Sequence, residues 1–199
     1  MHVIANRGLK EHSQENTIDA ILLARKASYV DGVLIDIRIT LDNEIVVFQK
    51  DNLESNTLGK GKISKTNYND IKKVKFTSKI FKNYIPTLKQ ILEKYKSNKL
   101  LILNLHDALS KNELLVDKTL ELLKKYPNYN YYIETSSVDI LGYLIEKGND
   151  YKYGPRLSQY PSKCINNISF CDVVYNRLLI LNYLFYYYQY DLKYEINQS

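Results

Sequence analysis

Short apolar runs and longer stretches of helical periodicity alternate along this chain. His2 to Ala5 is a short apolar run, and "GVLIDIRIT" (Gly32 to Thr40) is a second; both predict strands. Between them, Asn16 to Ser28 places Ile18, Ile21, Leu22 and Ala24 on one helix face, opened by the cap-type residues Asn16 and Thr17. The turn "LDNE" leads into "IVVFQ", so the second and third runs predict a hairpin extension. "NLESNTLGKGKISKTNYNDIKKV" is polar and turn-rich, an excursion closed by a short helix near Asn69 to Val74. "IPTLKQILEKYKSN" predicts a helix with Pro86 in its opening turn and Leu88, Ile91, Leu92 and Tyr95 on one face. "KLLILNL" follows as a buried strand, Asn112 to Lys125 as a helix, "YNYYIETS" as a strand and Val138 to Lys147 as a helix. "YKYGPRLS" and "ISFCDVVY" are later strand candidates, and the end of the chain holds an apolar, Tyr-rich helix candidate and a last run, "LKYEIN".

Strands alternating with helices imply parallel βα units. Several such units without a Gly-rich nucleotide-binding turn favour a TIM-type (β/α) barrel over a doubly wound sheet. No composition break divides the chain, so residues 1–199 are expected to form one α/β domain. In such a barrel the site lies where the strands end, which singles out Asn6 and Arg7, Asp36 and Arg38, Gln49 to Asp51, and Asn104 and His106.

Composition narrows the partners. At 199 residues the chain can bury a real core, and its balance of apolar and charged residues excludes disorder. The 19 tyrosines fit strands and half-buried faces without special chemistry. A net charge of +6 favours phosphate-bearing partners, but the lysines are spread along the chain, which argues against nucleic acid. Cys164 and Cys171 have no metal or disulfide-framework spacing, so a reducing compartment and idle thiols are expected. With no basic-then-apolar leader and no run long enough to span a bilayer, the expectation is a cytoplasmic protein without a membrane span. No Ser-His-Asp or Cys-His arrangement, P-loop or zinc spacing is present.

"IANRG" followed by "ENTIDAILLA", "GVLIDIRIT", "EIVVFQKDNL", "IPTLKQIL" and "LLILNLH" resembles the ordered motifs of the glycerophosphodiester phosphodiesterases; "YYIETSS" and "DVVYN" match loosely. The resemblance implies a TIM barrel of lipid metabolism that hydrolyses glycerophosphodiesters to an alcohol and glycerol phosphate. It also implies two proton-exchanging histidines and a divalent cation such as Mg²⁺ or Ca²⁺ held by three carboxylates. Carried over residue by residue, the histidines fall at Asn6 and Gln49, and the carboxylates at Leu34, Asp36 and Asn104. Lys50 stands where the motif usually has an acid, and His106 where a lysine is common. Asn and Gln cannot carry a proton at neutral pH, and Leu34 offers a hard cation no oxygen.

The resemblance therefore implies a degenerate member, with no assigned catalytic residue and no metal ligand set. Asn6, Arg7, Glu15, Asp36, Gln49, Asn104 and His106 are left to bind a small phosphorylated ligand. Arg7 supplies a fork suited to phosphate, and Glu15 orients Arg7 or nearby loop backbone. The alternative is an internal Arg-carboxylate pair with no ligand. His2 is expected at the stability face and His12 in solvent, while His106 contacts ligand. Two other functions stay open: a scaffold working through the apolar run Leu178 to Tyr190, or a metal-independent phosphodiesterase using His106 or His12. "LKYEIN" resembles the family's penultimate barrel strand, so the barrel is expected to be reduced or incompletely closed. Leu178 to Tyr190 would then cover the open edge or meet a second copy in a homodimer.

Overall fold

The structure is a computed structural model, and it describes residues 2–11, 13–78, 84–148 and 150–156. Its elements are β1 (Ile4–Asn6), α1 (Ile18–Lys26), β2 (Gly32–Ile39), β3 (Ile45–Val47), α2 (Tyr68–Ile71), α3 (Leu88–Tyr95), β4 (Leu100–Leu105), α4 (Asn112–Lys124), β5 (Tyr131–Thr135), α5 (Val138–Lys147) and β6 (Lys152–Pro155). The strands β1-β2-β4-β5-β6 lie side by side in that order, all parallel. On β2, β4 pairs from Gly32 to Ile37, while β1 takes Gly32 to Leu34 and β3 takes Ile37 to Ile39 antiparallel. The expected hairpin thus extends the second half of one barrel strand. Among the described residues β1 and β6 each have one strand neighbour, so the sheet is open, an α/β arrangement consistent with an incomplete barrel.

Strand alternation sorts the residues into two faces. Val33, Ile35 and Ile37 of β2, Leu101, Leu103 and Leu105 of β4, and Ile133 of β5 pack with the apolar sides of α1, α3, α4 and α5 in one core. Residues of the opposite parity, Leu34, Asp36, Ile102, Asn104 and Glu134, are buried but stand outside that core, on the face turned from the helices. Asp36, Asn104 and Glu134 are direct partners across β2, β4 and β5, so register alone aligns three polar side chains in one row.

Helix entry follows from capping chemistry. Thr17 caps α1 by accepting from the Ala20 amide, Thr87 and Gln90 form a reciprocal capping box at α3, and Ser137 caps α5. Pro86 therefore precedes the cap of α3 rather than sitting in its first turn, because Thr87 can satisfy amides that proline cannot. The polar excursion is more ordered than its composition suggests: Val46, Phe48, Leu53, Ile63, Ile71, Phe76 and Ile85 form a second, smaller core. Its helix is the single turn Tyr68–Ile71, earlier and shorter than Asn69 to Val74. Gly8, at φ +85°, lets α1 approach the β1 turn; a Cβ there would lie 2.5 Å from the Ala20 carbonyl carbon.

No helix among the described residues is long and apolar enough to cross a membrane. His12, Cys164, Cys171, the runs "ISFCDVVY" and "LKYEIN", and Leu178 to Tyr190 lie outside the described residues, and with them the barrel's closure and the dimer.

Candidate functional site

A fully buried carboxylate organises the strand ends. Asp36 Oδ2 accepts from Arg7 Nε (2.8 Å) and Asn16 Nδ2 (3.0 Å), and Oδ1 accepts from Asn104 Nδ2 (2.7 Å) and meets His106 Nε2 at 2.8 Å. Burial alone would push the Asp36 carboxyl up. The hydrogen bond and charge of His106, the Asn16 amide and the Arg7 charge outweigh it and hold the group well below the usual carboxylate range. His106 Nε2 also lies 3.1 Å from Asn104 Nδ2. With the imidazole N–H turned to Asp36, these are two donors converging on one oxygen.

The chain reaches this arrangement through two left-handed residues, Arg7 (φ 64°) and Asn16 (φ 57°). The Arg7 amide donates to Leu34 O (2.8 Å) and the Asn16 amide to Arg7 O (3.0 Å), so the loop folds back over β2. Asn16 then clamps Asp36 from two sides, since its Oδ1 also accepts from the Asp36 amide at 3.2 Å. Its expected capping role belongs to Thr17 alone. Arg7 Nη1 donates to Glu15 Oε2 (3.1 Å), and Asn56 Nδ2 holds the other Glu15 oxygen at 2.9 Å. Glu15 thus orients Arg7.

The remaining candidates are less integrated. Asn6 ends β1, and its buried Oδ1 has no hydrogen-bond partner among the described residues. Gln49 joins through its backbone: its carbonyl accepts from Arg38 Nε at 2.8 Å. Arg38 and His106 line a small surface depression with Asp51, Ser64, Asp107 and Leu109. His2 lies away from the cluster, with Nδ1 3.8 Å from Asp31 Oδ2 at the start of β2.

Two residues absent from the sequence reading complete the cluster. Glu134 is buried beside Asn104, and Arg156 follows β6, with Nη1 3.3 Å from Glu134 Oε1 and 3.8 Å from Asp36 Oδ1. Burial, reinforced by the Asp36 charge and opposed by Arg156, pushes the Glu134 carboxyl up to about 7. The sequence signal is a lone acid inside the apolar run "YYIET", which acquires meaning when register sets it beside Asn104.

A hard divalent cation needs several oxygen ligands around it. The described residues at the carried-over positions do not fit one: Leu34 is apolar, and Asp36 is surrounded by the N–H donors of Arg7, Asn16, Asn104 and His106, two of them able to carry positive charge. Among the described residues no three His, Cys, Asp or Glu side chains gather as a metal site.

The sequence model of the glycerophosphoryl diester phosphodiesterase family matches residues 7–171 of this chain. The chain belongs to that family. It is 34% identical over 95 residues to a glycerophosphodiester phosphodiesterase of Caldanaerobacter subterraneus subsp. tengcongensis, covering 46% of this chain and 39% of that protein. An uncharacterized protein of Mycoplasma genitalium is 31% identical over 129 residues, 62% of this chain and 54% of its own. The chain thus spans about two fifths to half the length of these curated relatives. In fold it is similar to a phosphodiesterase of Oleispira antarctica solved with the product sn-glycerol-3-phosphate (TM-score 0.73, 24% identity, 86% of this chain and 72% of that one). It is also similar to the Thermotoga maritima glycerophosphodiester phosphodiesterase (TM-score 0.67, 25% identity, 88% and 70%). The family's fold is the TIM barrel, and the open parallel sheet β1-β2-β4-β5-β6 is its counterpart here.

Proposed function

We propose that this glycerophosphoryl diester phosphodiesterase family member binds a small phosphate ester, such as glycerol phosphate, at the ends of its parallel strands, without metal-assisted hydrolysis. The observation that carries this reading is the coordination of Asp36: both oxygens accept from Arg7, Asn16, Asn104 and His106 where the family resemblance places a cation. Several cationic groups therefore gather at the strand ends around one carboxylate, with the Arg156 guanidinium beside them, and such a surplus of donors suits a phosphate. Calorimetric titration with glycerol phosphate, with and without Mg²⁺ or Ca²⁺, tests it. Binding that is independent of the cation supports the reading. Cation-dependent turnover of a glycerophosphodiester, abolished by Asp36→Ala, overturns it.

A second reading rests on the 2.8 Å contact between His106 Nε2 and Asp36 Oδ1, which orients the imidazole as a buried carboxylate orients a catalytic base. Metal-independent cleavage of a phosphodiester, lost in His106→Gln and unaffected by chelator, would favour it over simple binding.

A further inference from the structure

The two arginines near Asp36 are held differently. Arg7 lies between two carboxylates, with Nε hydrogen-bonded to Asp36 and Nη1 to Glu15, so its charge is already compensated. Arg156 is anchored by its backbone, whose amide donates to Thr135 O at 2.7 Å, and its side chain is 22% exposed. Its guanidinium stands within ion-pair distance of Glu134 and Asp36 but aims no N–H at either, and its donors have no hydrogen-bond acceptor among the described residues. Glu134 Oε1 is likewise without a donor, although the side chain is 4% exposed. Among the described residues, therefore, a fork of donors without a hydrogen-bond acceptor sits at the edge of the cluster, next to a buried carboxylate that neutralises it loosely.

The strand face beside Arg156 is polar. Gly154, the cross-strand partner of Glu134, has no side chain, and the Tyr132 hydroxyl fills that place; a Cβ on Gly154 would lie 2.4 Å from it. Tyr132 and Glu134, two apart on β5, share one strand face, so the wall beside Arg156 carries a hydroxyl and a carboxyl.

We infer that Arg156 is the primary anchor of the phosphate group at these strand ends, and that Glu134 holds the guanidinium in place until a phosphate displaces it as the counter-ion. The inference rests on the proposed phosphate-ester binding and assigns it a residue outside the motifs that carry the family resemblance. Planar guanidinium and phosphate oxygens match as a fork, which a loosely held Arg156 can offer and a doubly paired Arg7 cannot without first breaking an ion pair. Glu134 competes with the ligand for the same donors, so removing its charge must tighten binding. A residue that merely supported the fold would not give that sign.

The test is calorimetric titration of the full chain, at about pH 8, with inorganic phosphate and separately with glycerol phosphate. Losing a charge-assisted hydrogen bond predicts that Arg156→Gln weakens both ligands by about tenfold to a hundredfold. Glu134→Gln is expected to tighten both several-fold. The double variant Arg156→Gln/Glu134→Gln, which leaves no buried charge unpaired, is expected to bind as weakly as Arg156→Gln while unfolding at a native-like temperature. A stronger response with glycerol phosphate than with inorganic phosphate identifies the ester as the ligand; equal responses identify the free phosphate group. Native-like affinity in the folded double variant overturns the role of Arg156 and leaves the binding proposal standing. Failure of the native chain to bind either ligand overturns both.

Discussion

Glu134→Gln also probes stability through pH. The folded state pushes this carboxyl up to about 7 from an ordinary 4.5, chiefly by burial, with the Asp36 charge adding and Arg156 opposing. Between those pH values the folded chain binds more protons than the unfolded one, so stability falls as pH rises. At about 1.4 kcal/mol for each tenfold change in proton affinity, ionising Glu134 in the fold costs about 3 kcal/mol, fully expressed above about pH 7. Asp36 acts with the opposite sign. Its carboxyl is held below the usual range, so its contribution is present throughout this window and is lost only in stronger acid. The amide that replaces the carboxyl in Glu134→Gln has no proton to lose over this range. The chain has no tryptophan, so urea unfolding is best followed by far-ultraviolet circular dichroism at intervals from about pH 5 to pH 8. The native chain should lose about 2.5 kcal/mol more than Glu134→Gln across that range, the remainder falling below about pH 5. Parallel stability curves for the two would refute the reasoning, because they would mean that Glu134 titrates in the fold as it does in the unfolded chain.

The same structure predicts other responses. Rebuilding the family's residues with Asn6→His, Leu34→Glu, Gln49→His and Asn104→Glu should create calorimetrically detectable Mg²⁺ or Ca²⁺ binding, with Lys50 changed as well if its charge interferes; a folded variant that binds metal no better than the native chain would show that these positions do not converge. Gly8→Ala meets both a positive φ and the Ala20 backbone at 2.5 Å, so it should cost at least about 1–3 kcal/mol, measured by chemical unfolding. Thr87→Ala removes one half of the capping box at α3 and should cost about 1 kcal/mol, with little change in phosphate binding.

Sequence reasoning reaches furthest where local pattern and position coincide. The apolar runs at Gly32 to Thr40 and Leu100 to Leu105 lie on β2 and β4, and the motif order brings Arg7, Glu15, Asp36, Asn104 and His106 toward one place. Asn16 reads as a cap because the pattern of a helix start does not reveal backbone handedness. Its positive φ follows from the loop's return over β2. Glu134 and Arg156 are hidden for another reason. Their meaning depends on register among β4, β5 and β6, which no local spacing encodes. Gln49 enters differently: its position in the motif suggests a side-chain role, and the contact the structure shows is made by its carbonyl, which accepts from Arg38.

The hub at Asp36 also bears on how the protein opens. Its four side-chain partners lie 29, 20, 68 and 70 residues away along the chain, so one carboxylate ties the β1 turn, the α1 entry and the end of β4 to β2. Such ties close only after distant segments have met, and releasing them together strands a buried charge. Loops at the mouth of a barrel ordinarily fray on their own, well below the free energy of global unfolding. Here the amides of Arg7, Asn16 and His106, which donate to Leu34, Arg7 and Ile37, should exchange with solvent at rates set by the opening of the whole sheet. The strand-end loops are thereby made part of the cooperative core, and the proposed phosphate ester would meet a site that is already assembled.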